Sequence, residues 1–316
     1  MSNPAQPVTA AANPASAFYA GVLARSLGAA LRLSQTVAPT LATRLALRLF
    51  FTPLPLKLAA RRRPVPAPWR VEHWPFERGS LAVYRRDAVG PSDAIDAIDT
   101  PARPTVLLVH GWAGDAQQML PLADALAQAG LNPVLLDFPG HGRSAGWRAT
   151  LPQFVRALWA ASARLGPLHG VVAHSLGAVA ACHAAANGLP VGRLALLATS
   201  PPPALFLKWF AGSLGLGVGL PLRMRAVIER VEGVALTRFE PGWLGPRLAQ
   251  PTLVVHDEGD RISPLAVGQR MAQAIAGARL LTTQRLGHRR VLVDPAVAEA
   301  VAAHLRPEQR QNGSEM

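Results

Sequence analysis

A serine lies near the middle of the chain where a predicted buried strand runs into a predicted helix, in "VVAHSLGA" (Val171 to Ala178). Ser175 is either an ordinary helix N-cap or a nucleophile on a strained turn. A turn of the second kind needs small residues two positions to each side, because a larger Cβ would clash with the facing elements. Ala173 and Gly177 meet that need, although the usual pattern has glycine at both places. The motif alone leaves both interpretations open.

A serine hydroxyl is a weak nucleophile at neutral pH, so it needs a general base and an acid that orients the base. In sites built on a strand–turn–helix, these follow in the chain order Ser, acid, His. Only His288 and His304 lie beyond every acidic candidate. His304 falls in the last turn of a predicted helix, where it offsets the helix dipole. His288 follows a strand and a glycine in "RLGHRR", which predicts the base.

The acid must then lie between Ser175 and His288. Glu229, Glu232 and Glu240 fall in the insertion and at its exit, on predicted surface helix faces. The cluster "HDEGDRISP" instead follows a buried strand and emerges at the same edge of the sheet as the serine. Asp260, after a glycine, is the predicted acid. Asp257 is the reserve, since it lies too close to the end of the strand to swing outward. Capping of the next helix would be an alternative task for Asp260, but Ser263 is better placed for it.

A developing oxyanion is stabilised by backbone N–H groups that require no particular side chain. The stretch "HGWAG" (His110 to Gly114) follows the first predicted parallel strand, and its Gly111 lets the chain bend over the serine. The N–H groups of Trp112 and Leu176 are the predicted oxyanion hole. This chemistry uses no cofactor and no metal, and we expect neither.

Short apolar runs predict the strands that would position these groups. Runs of this kind are typical of strands buried on both faces of a parallel sheet. They are "TVLLVH", "PVLLDF", "HGVVAHS", "RLALLATS", "TLVVHD" and the more mixed "ARLLTTQRL". A hairpin of "RVEHWPF" and "LAVYRRD" precedes them.

Helical patterns separate most of these runs, over Ala116–Gly130, Thr150–Leu165, Leu176–Asn187, Pro264–Ala276 and Asp294–Leu305. Strands that alternate with helices predict an α/β fold with a doubly wound, mostly parallel sheet. An insertion at about residues 201–249 interrupts the alternation, and such insertions usually follow the carboxyl ends of strands, where ligands bind.

The remaining segments lie outside this α/β domain, for which we predict residues 69–306. Residues 1–16 and 307–316 are predicted to be disordered tails. Residues 17–68 form an extension in which Phe18 to Phe51 is helical and broken at Pro39, with Leu41, Leu45 and Leu49 turned away from arginines. A linker rich in Arg and Pro, Leu58 to Arg70, completes it.

The net charge of +13 would ordinarily suggest a polyanionic partner, but the basic residues are almost all arginine, which points to a compositional bias. No nucleic-acid-binding motif is present, so we predict no nucleic-acid partner. No apolar run is long enough to span a membrane, and no secretory n-region precedes Arg25. We expect a cytoplasmic protein whose extension packs on the α/β domain. The alternative for residues 18–51 is a peripheral membrane contact. The oligomeric state stays open.

The sequence resembles the α/β-hydrolase superfamily over about residues 70–306. The motifs that carry the resemblance are "HGWAG", "DFPGHGRS", "AHSLGA", "HDEGDRISP" and "GHRR", in the family's order. The resemblance implies that Ser175 is the nucleophile, Asp260 the acid and His288 the base. It also implies that the insertion forms a small cap over the site.

The function predicted from these residues is a serine hydrolase that cleaves a carboxylic ester or thioester through an acyl-enzyme. An acyltransferase with the same triad is one alternative, and a non-catalytic relative that binds an apolar ligand is another. The insertion contains "PALFLKWF" (Pro203 to Phe210), whose composition predicts an apolar acyl pocket.

Overall fold

The fold is known from a computed structural model, which describes residues 22–53, 56–86 and 103–307. Eight strands form one sheet, and the apolar runs of the sequence supply six of them. The strands are β1 (Trp69–Phe76), β2 (Gly79–Arg86), β3 (Thr105–Val109), β4 (Asn132–Leu136), β5 (Leu168–His174), β6 (Val191–Leu197), β7 (Thr252–Asp257) and β8 (Arg279–Thr283).

The spatial order of the strands is β1-β2-β4-β3-β5-β6-β7-β8. The hairpin β1–β2 is antiparallel and pairs antiparallel with β4, whereas β3 to β8 run parallel to one another. The predicted α/β fold with a mostly parallel sheet is confirmed. The reversal of strand order between β4 and β5 places the carboxyl ends of β3 and β5 side by side, where a crevice forms in sheets of this kind.

Helices cover both faces of the sheet, and the alternating side chains of the strands explain why. In β3, Leu107 and Val109 face one layer while Val106 and Leu108 face the other, so all four are buried. The first layer contains α5, α6 and α10, and the second contains α4 and α12. Their bounds are α4 (Leu120–Gln128), α5 (Leu151–Leu165), α6 (Leu176–Ala186), α10 (Leu265–Ala274) and α12 (Pro295–Leu305). The short α11 (Gly287–Arg290), which carries His288, precedes α12.

The N-terminal helices and the insertion share a third hydrophobic core. They are α1 (Val22–Val37), α2 (Pro39–Phe50) and α3 (Leu56–Arg62), with α7 (Pro203–Ser213), α8 (Gly219–Glu232) and the short α9 (Pro241–Leu244) in the insertion. Leu31 of α1 and Leu47 of α2 are buried together with Leu207, Phe210 and Met224 of the insertion. The extension therefore packs on the domain, as we expected, and the partner of its first two helices is the insertion. None of the described helices is long and apolar enough to cross a bilayer.

The buried face of α2 differs from the predicted one. Leu41 and Leu45 are 53% and 47% exposed, and they share this outer face with Arg44 and Arg48. The buried face uses the small residues Ala42 and Ala46, together with Leu47. The prediction was wrong because small alanines allow two helices to approach closely, a packing that hydrophobicity alone does not reveal.

The predicted linker is helical in its first part. Residues 58–62 belong to α3, and the reason is a tertiary contact. Lys57 is buried, and its ammonium donates hydrogen bonds to the carbonyl oxygens of Ser144 at 2.6 Å and of Gly146 at 2.5 Å. Arg63 also pairs with Asp115. The predicted tails lie outside the described residues, except for residue 307, and so do residues 87–102.

Candidate active site

The turn between β5 and α6 holds Ser175 in a strained conformation. Its φ is 53° and its ψ is −118°, values that a residue with a Cβ rarely adopts. The side chain makes no N-cap hydrogen bond, so the N-cap interpretation of the motif is wrong. A Cβ at Gly177 would lie 2.3 Å from the carbonyl oxygen of His110, which explains the small residue two positions after the serine. Strain supported by such close packing is typical of functional sites.

His288 connects the serine to Asp260 through two hydrogen bonds. The Ser175 hydroxyl lies 3.0 Å from His288 Nε2, and His288 Nδ1 lies 2.7 Å from Asp260 Oδ2. Because a carboxylate only accepts, Nδ1 carries the proton and Nε2 is free to accept from the serine. The structure thus brings together the three residues that the sequence predicted, within the distances that nucleophile activation requires.

The other oxygen of Asp260 is held by backbone groups. Asp260 Oδ1 accepts from the N–H groups of Ile262 and Ser263, both at 2.8 Å. Ser263 does not cap the following helix, because its hydroxyl donates to the carbonyl oxygen of Thr199 at 2.6 Å. The carboxylate is therefore fixed from one side and presented to His288 on the other.

Asp257 has a different set of partners. Its carboxylate accepts from the Thr283 hydroxyl and from the N–H of Leu286, each at 2.9 Å. Burial would raise the pKa of this carboxyl, but backbone N–H donors, led by that of Gly287, hold the pKa below its ordinary value. Asp257 thus fastens the loop that carries His288 and makes no hydrogen bond to the imidazole.

The loop after β3 lies directly over the serine. A Cβ at Gly111 would be 2.6 Å from Ser175 Cβ, so only glycine permits this approach. His141 Nε2 accepts from the N–H of Ala113 at 3.1 Å and holds that residue at a φ of 57°. Trp112, between them, has its N–H free of any hydrogen bond to the described residues.

The second predicted oxyanion donor, Leu176, is the first residue of α6. The first N–H groups of a helix have no partner within the helix and carry its positive end. Both predicted donors therefore adjoin the serine, one above it in the loop and one after it in the chain.

His174 makes a contact that the sequence did not reveal. Its Nε2 donates to the carbonyl oxygen of His288 at 2.8 Å, and the two rings lie 4.8 Å apart. Burial, with the neighbouring His288 imidazole, holds the pKa of His174 well below its usual value, so this histidine is neutral. This hydrogen bond supports the main chain at His288.

The side chains of "PALFLKWF" divide between two surroundings. Leu207 and Phe210 are buried against the N-terminal helices and are not available to a ligand. Ala204 and Leu205 line a groove of about 620 Å³, together with Lys208 and residues of α9 and α10. Of the segment that was predicted to form an apolar acyl pocket, only Ala204, Leu205 and Lys208 line this groove.

Known proteins resemble the chain over the same region. A family model described as the alpha/beta hydrolase fold matches residues 104–240, and one described as TAP-like protein matches residues 239–314. The pimeloyl-[acyl-carrier protein] methyl ester esterase of Stenotrophomonas maltophilia is 32% identical over 252 residues, covering 66% of this chain and 94% of the relative. The chain belongs to the α/β-hydrolase superfamily.

Solved structures of α/β-hydrolases superpose on the same part. A hydrolase from Pseudomonas aeruginosa aligns with a TM-score of 0.56 at 21% identity, covering 75% of this chain and 98% of the other. The 2-hydroxy-6-oxo-6-phenylhexa-2,4-dienoate hydrolase of a Rhodococcus species aligns with a TM-score of 0.55 at 19% identity, covering 76% and 99%. At these identities the structures show a shared α/β-hydrolase fold.

Proposed function

We propose that this α/β-hydrolase cleaves carboxylic esters through an acyl-enzyme at Ser175, with His288 as the base and Asp260 as the acid that orients it. The chain is an ester hydrolase by its family and its esterase relatives. The observation that carries the residue assignment is the continuous hydrogen-bonded path from the serine through His288 to Asp260, with distances of 3.0 and 2.7 Å.

The first half of the reaction forms the acyl-enzyme. Ser175 Oγ attacks the ester carbonyl carbon while its proton moves to His288 Nε2. The carbonyl π electrons move to oxygen and give a tetrahedral oxyanion. Collapse of this intermediate breaks the bond to the alcohol oxygen, which takes the proton from His288. Asp260 stabilises the transient imidazolium by its hydrogen bond and its charge.

The second half returns the enzyme to its starting state. His288 Nε2 accepts a proton from water, and the hydroxide oxygen attacks the acyl carbon. The second tetrahedral intermediate expels Ser175 Oγ, which recovers the proton, and the carboxylic acid leaves. In both halves the oxyanion would accept from the N–H groups of Trp112 and Leu176. One such donor is worth about 10² to 10³ in kcat.

For the substrate, we propose an ester with an apolar acyl chain and a small alcohol. The curated relatives are named for a methyl ester. Pro202, Ala204 and Leu205 follow β6 in the chain within eight residues and form an apolar wall of the groove described above, whose lining includes none of the three triad residues. A series of p-nitrophenyl and methyl esters from acetyl to decanoyl tests this point, and a preference for acetyl throughout the series would contradict it.

The Ser175→Ala variant tests the assignment. We expect it to fold as the wild type and to lose on the order of 10⁴ to 10⁶ in kcat on p-nitrophenyl esters, because the members of a triad act as a unit. A fluorophosphonate should label the wild type and not the variant. Ser200→Ala is the matched control. Ser200 is buried beside the turn that carries Ser175, and among the described residues its hydroxyl donates only to the carbonyl oxygen of Pro201. Labelling of Ser175→Ala, or more than a tenth of wild-type activity, would refute the assignment.

A further inference from the structure

The layer formed by the N-terminal helices and the insertion exposes an unusual share of large apolar side chains. Of the twelve exposed ones among the described residues, eight belong to this layer. We define the outer surface by six of them: Leu33, Val37, Leu41, Leu45, Val218 and Leu222. Their exposed fractions run from 47% to 84%. Concentration of exposed apolar side chains on one layer is typical of an interaction site.

The spacing of these residues shows that they belong to organised helix faces. Leu33 and Val37 lie four residues apart on α1, and Leu41 and Leu45 lie four apart on α2, so each pair is stacked on one face. The loop that carries Val218 lies against α1. Arg32 Nη1 donates to the carbonyl oxygen of Leu214 at 2.8 Å, and a Cβ at Gly217 would lie 3.6 Å from Gln35 Nε2.

Almost all of the net charge lies in the segments that build this layer and in the short stretch that joins α3 to the start of β1. The first 71 residues contain nine of the 32 basic residues and none of the 19 acidic ones. Residues 201–249 add six basic and three acidic residues, so the two segments together supply +12 of the net +13. A compositional bias of the whole chain does not explain this asymmetry, because the rest of the sequence is nearly balanced.

Positive and apolar side chains alternate on the outer face of α2. Leu41, Arg44, Leu45 and Arg48 follow the helical spacing of i, i+3, i+4 and i+7, and all four are exposed. Arg61 and Arg62 of α3 are exposed as well. An arrangement in which leucines point outward between arginines suits a surface that offers both negative charge and hydrocarbon.

We propose that the outer surface docks on an anionic lipid bilayer. The leucines and valines would enter the region between headgroups and acyl chains, while the arginines contact lipid phosphates. A second copy of the chain is a poorer occupant, since two surfaces of the same strong positive charge repel each other. The inward face of α2, with Ala42, Ala46 and Leu47, stays packed on the insertion, so docking requires no unfolding.

Docking of this layer would bring the active site close to the bilayer. The insertion begins directly after β6, and the N–H of Ser200 donates to the carbonyl oxygen of Ser175 at 3.2 Å. Ser200, which contacts the backbone of Ser175, therefore lies only three residues before the start of α7 at Pro203. This proposal is independent of the catalytic assignment, because it concerns binding and not turnover.

The test is flotation of the full chain with vesicles. We expect wild type to bind phosphatidylglycerol–phosphatidylcholine vesicles at low salt, to bind phosphatidylcholine alone weakly, and to be released in part at about 0.5 M salt, where charge interactions are screened. The double variant Val37→Glu/Leu41→Glu should bind the mixed vesicles at least about tenfold more weakly, since it places two charges in the apolar interface.

Val293→Glu is the matched control, because Val293 is 57% exposed but lies outside the layer. It should bind vesicles as the wild type does. All three proteins should hydrolyse a soluble p-nitrophenyl ester equally without vesicles, which shows that they are folded. Absence of wild-type binding at low salt, or equal binding by the double variant, would overturn the proposal. A dimer in solution that the double variant dissociates would also overturn it and assign the surface to a second copy.

Discussion

At the residue scale, two aspartates three positions apart perform different tasks in one loop. Asp260 turns one oxygen to two backbone N–H groups and the other to His288 Nδ1. The Asp257 carboxylate instead accepts hydrogen bonds from the surrounding chain, including those from the N–H groups of Gly259 and Leu286. Position decides the difference, because Asp257 ends β7 while Asp260 follows a glycine that lets the chain turn toward the histidine.

Replacing the two carboxylates by amides should separate these tasks. Asp260→Asn should lose about 10⁴ in kcat, because an amide favours the wrong tautomer of the histidine. Asp257→Asn should keep activity within about tenfold and lose about 1 to 3 kcal/mol of unfolding free energy, since it weakens buried hydrogen bonds. Ester hydrolysis and urea unfolding measure the two effects. A larger loss of kcat in Asp257→Asn would show that Asp257 orients the base.

The sequence was sufficient to predict which three residues are joined by hydrogen bonds at the turn between β5 and α6. Chain order and the placement of loops after buried strands led to Ser175, His288 and Asp260 without coordinates. The contact of His174 with the His288 carbonyl was out of reach, because it joins side chain and main chain across 114 residues. A local pattern contains no information on such a contact.

At the scale of elements, the success of the predictions follows from how each element is stabilised. The continuous apolar run of β7 was predicted at its observed bounds, and Thr150 begins α5 with a capping box that the sequence displays locally. The outer face of α2 and the helix α3 were missed. Both depend on tertiary contacts. The buried face of α2 packs on the insertion, and α3 is held by the hydrogen bonds that the Lys57 ammonium donates to backbone carbonyl oxygens.

Removal of the N-terminal helices should therefore destabilise the protein. A chain that begins at Arg70 would expose Leu207, Leu214 and Met224 of the insertion, which are now buried by α1 and α2. We expect a fall of several degrees in Tm and aggregation, because the uncovered apolar surface has no other partner. Thermal unfolding and light scattering measure both. An unchanged Tm would show that the insertion is stable without the extension.

At the scale of the whole molecule, the positive charge and the buried histidines lie in different parts of the protein. The positive charge is concentrated in the first 71 residues and the insertion, whereas the buried histidines lie in the part of the molecule formed by the sheet and its helices. His110, His141 and His174 each hydrogen-bond to backbone groups around the serine. Two of these imidazoles, those of His141 and His174, have pKa values well below the ordinary one and are held in the neutral form, which makes the fold sensitive to acid.

Stability should fall as the pH is lowered through the ordinary titration range of histidine. Burial, with the nearby His110, holds the pKa of His141 well below 6.5, and burial has the same effect on His174. The unfolded chain takes up protons at these residues below about pH 6.5 while the folded chain does not, so acid favours unfolding. Each such histidine contributes a loss of about 1.4 kcal/mol per pH unit below that value, until its folded pKa is reached.

The His141→Asn variant isolates one of these contributions. Its amide oxygen can replace the imidazole as acceptor for the Ala113 N–H, but the side chain does not titrate. Urea unfolding of both proteins between pH 7.5 and pH 5 gives the two slopes. We expect the variant to be less stable at pH 7.5, because it fills less of a buried site, yet to lose less stability on acidification. Equal slopes would show that His141 becomes protonated in the folded protein, which would break its hydrogen bond to the loop above Ser175.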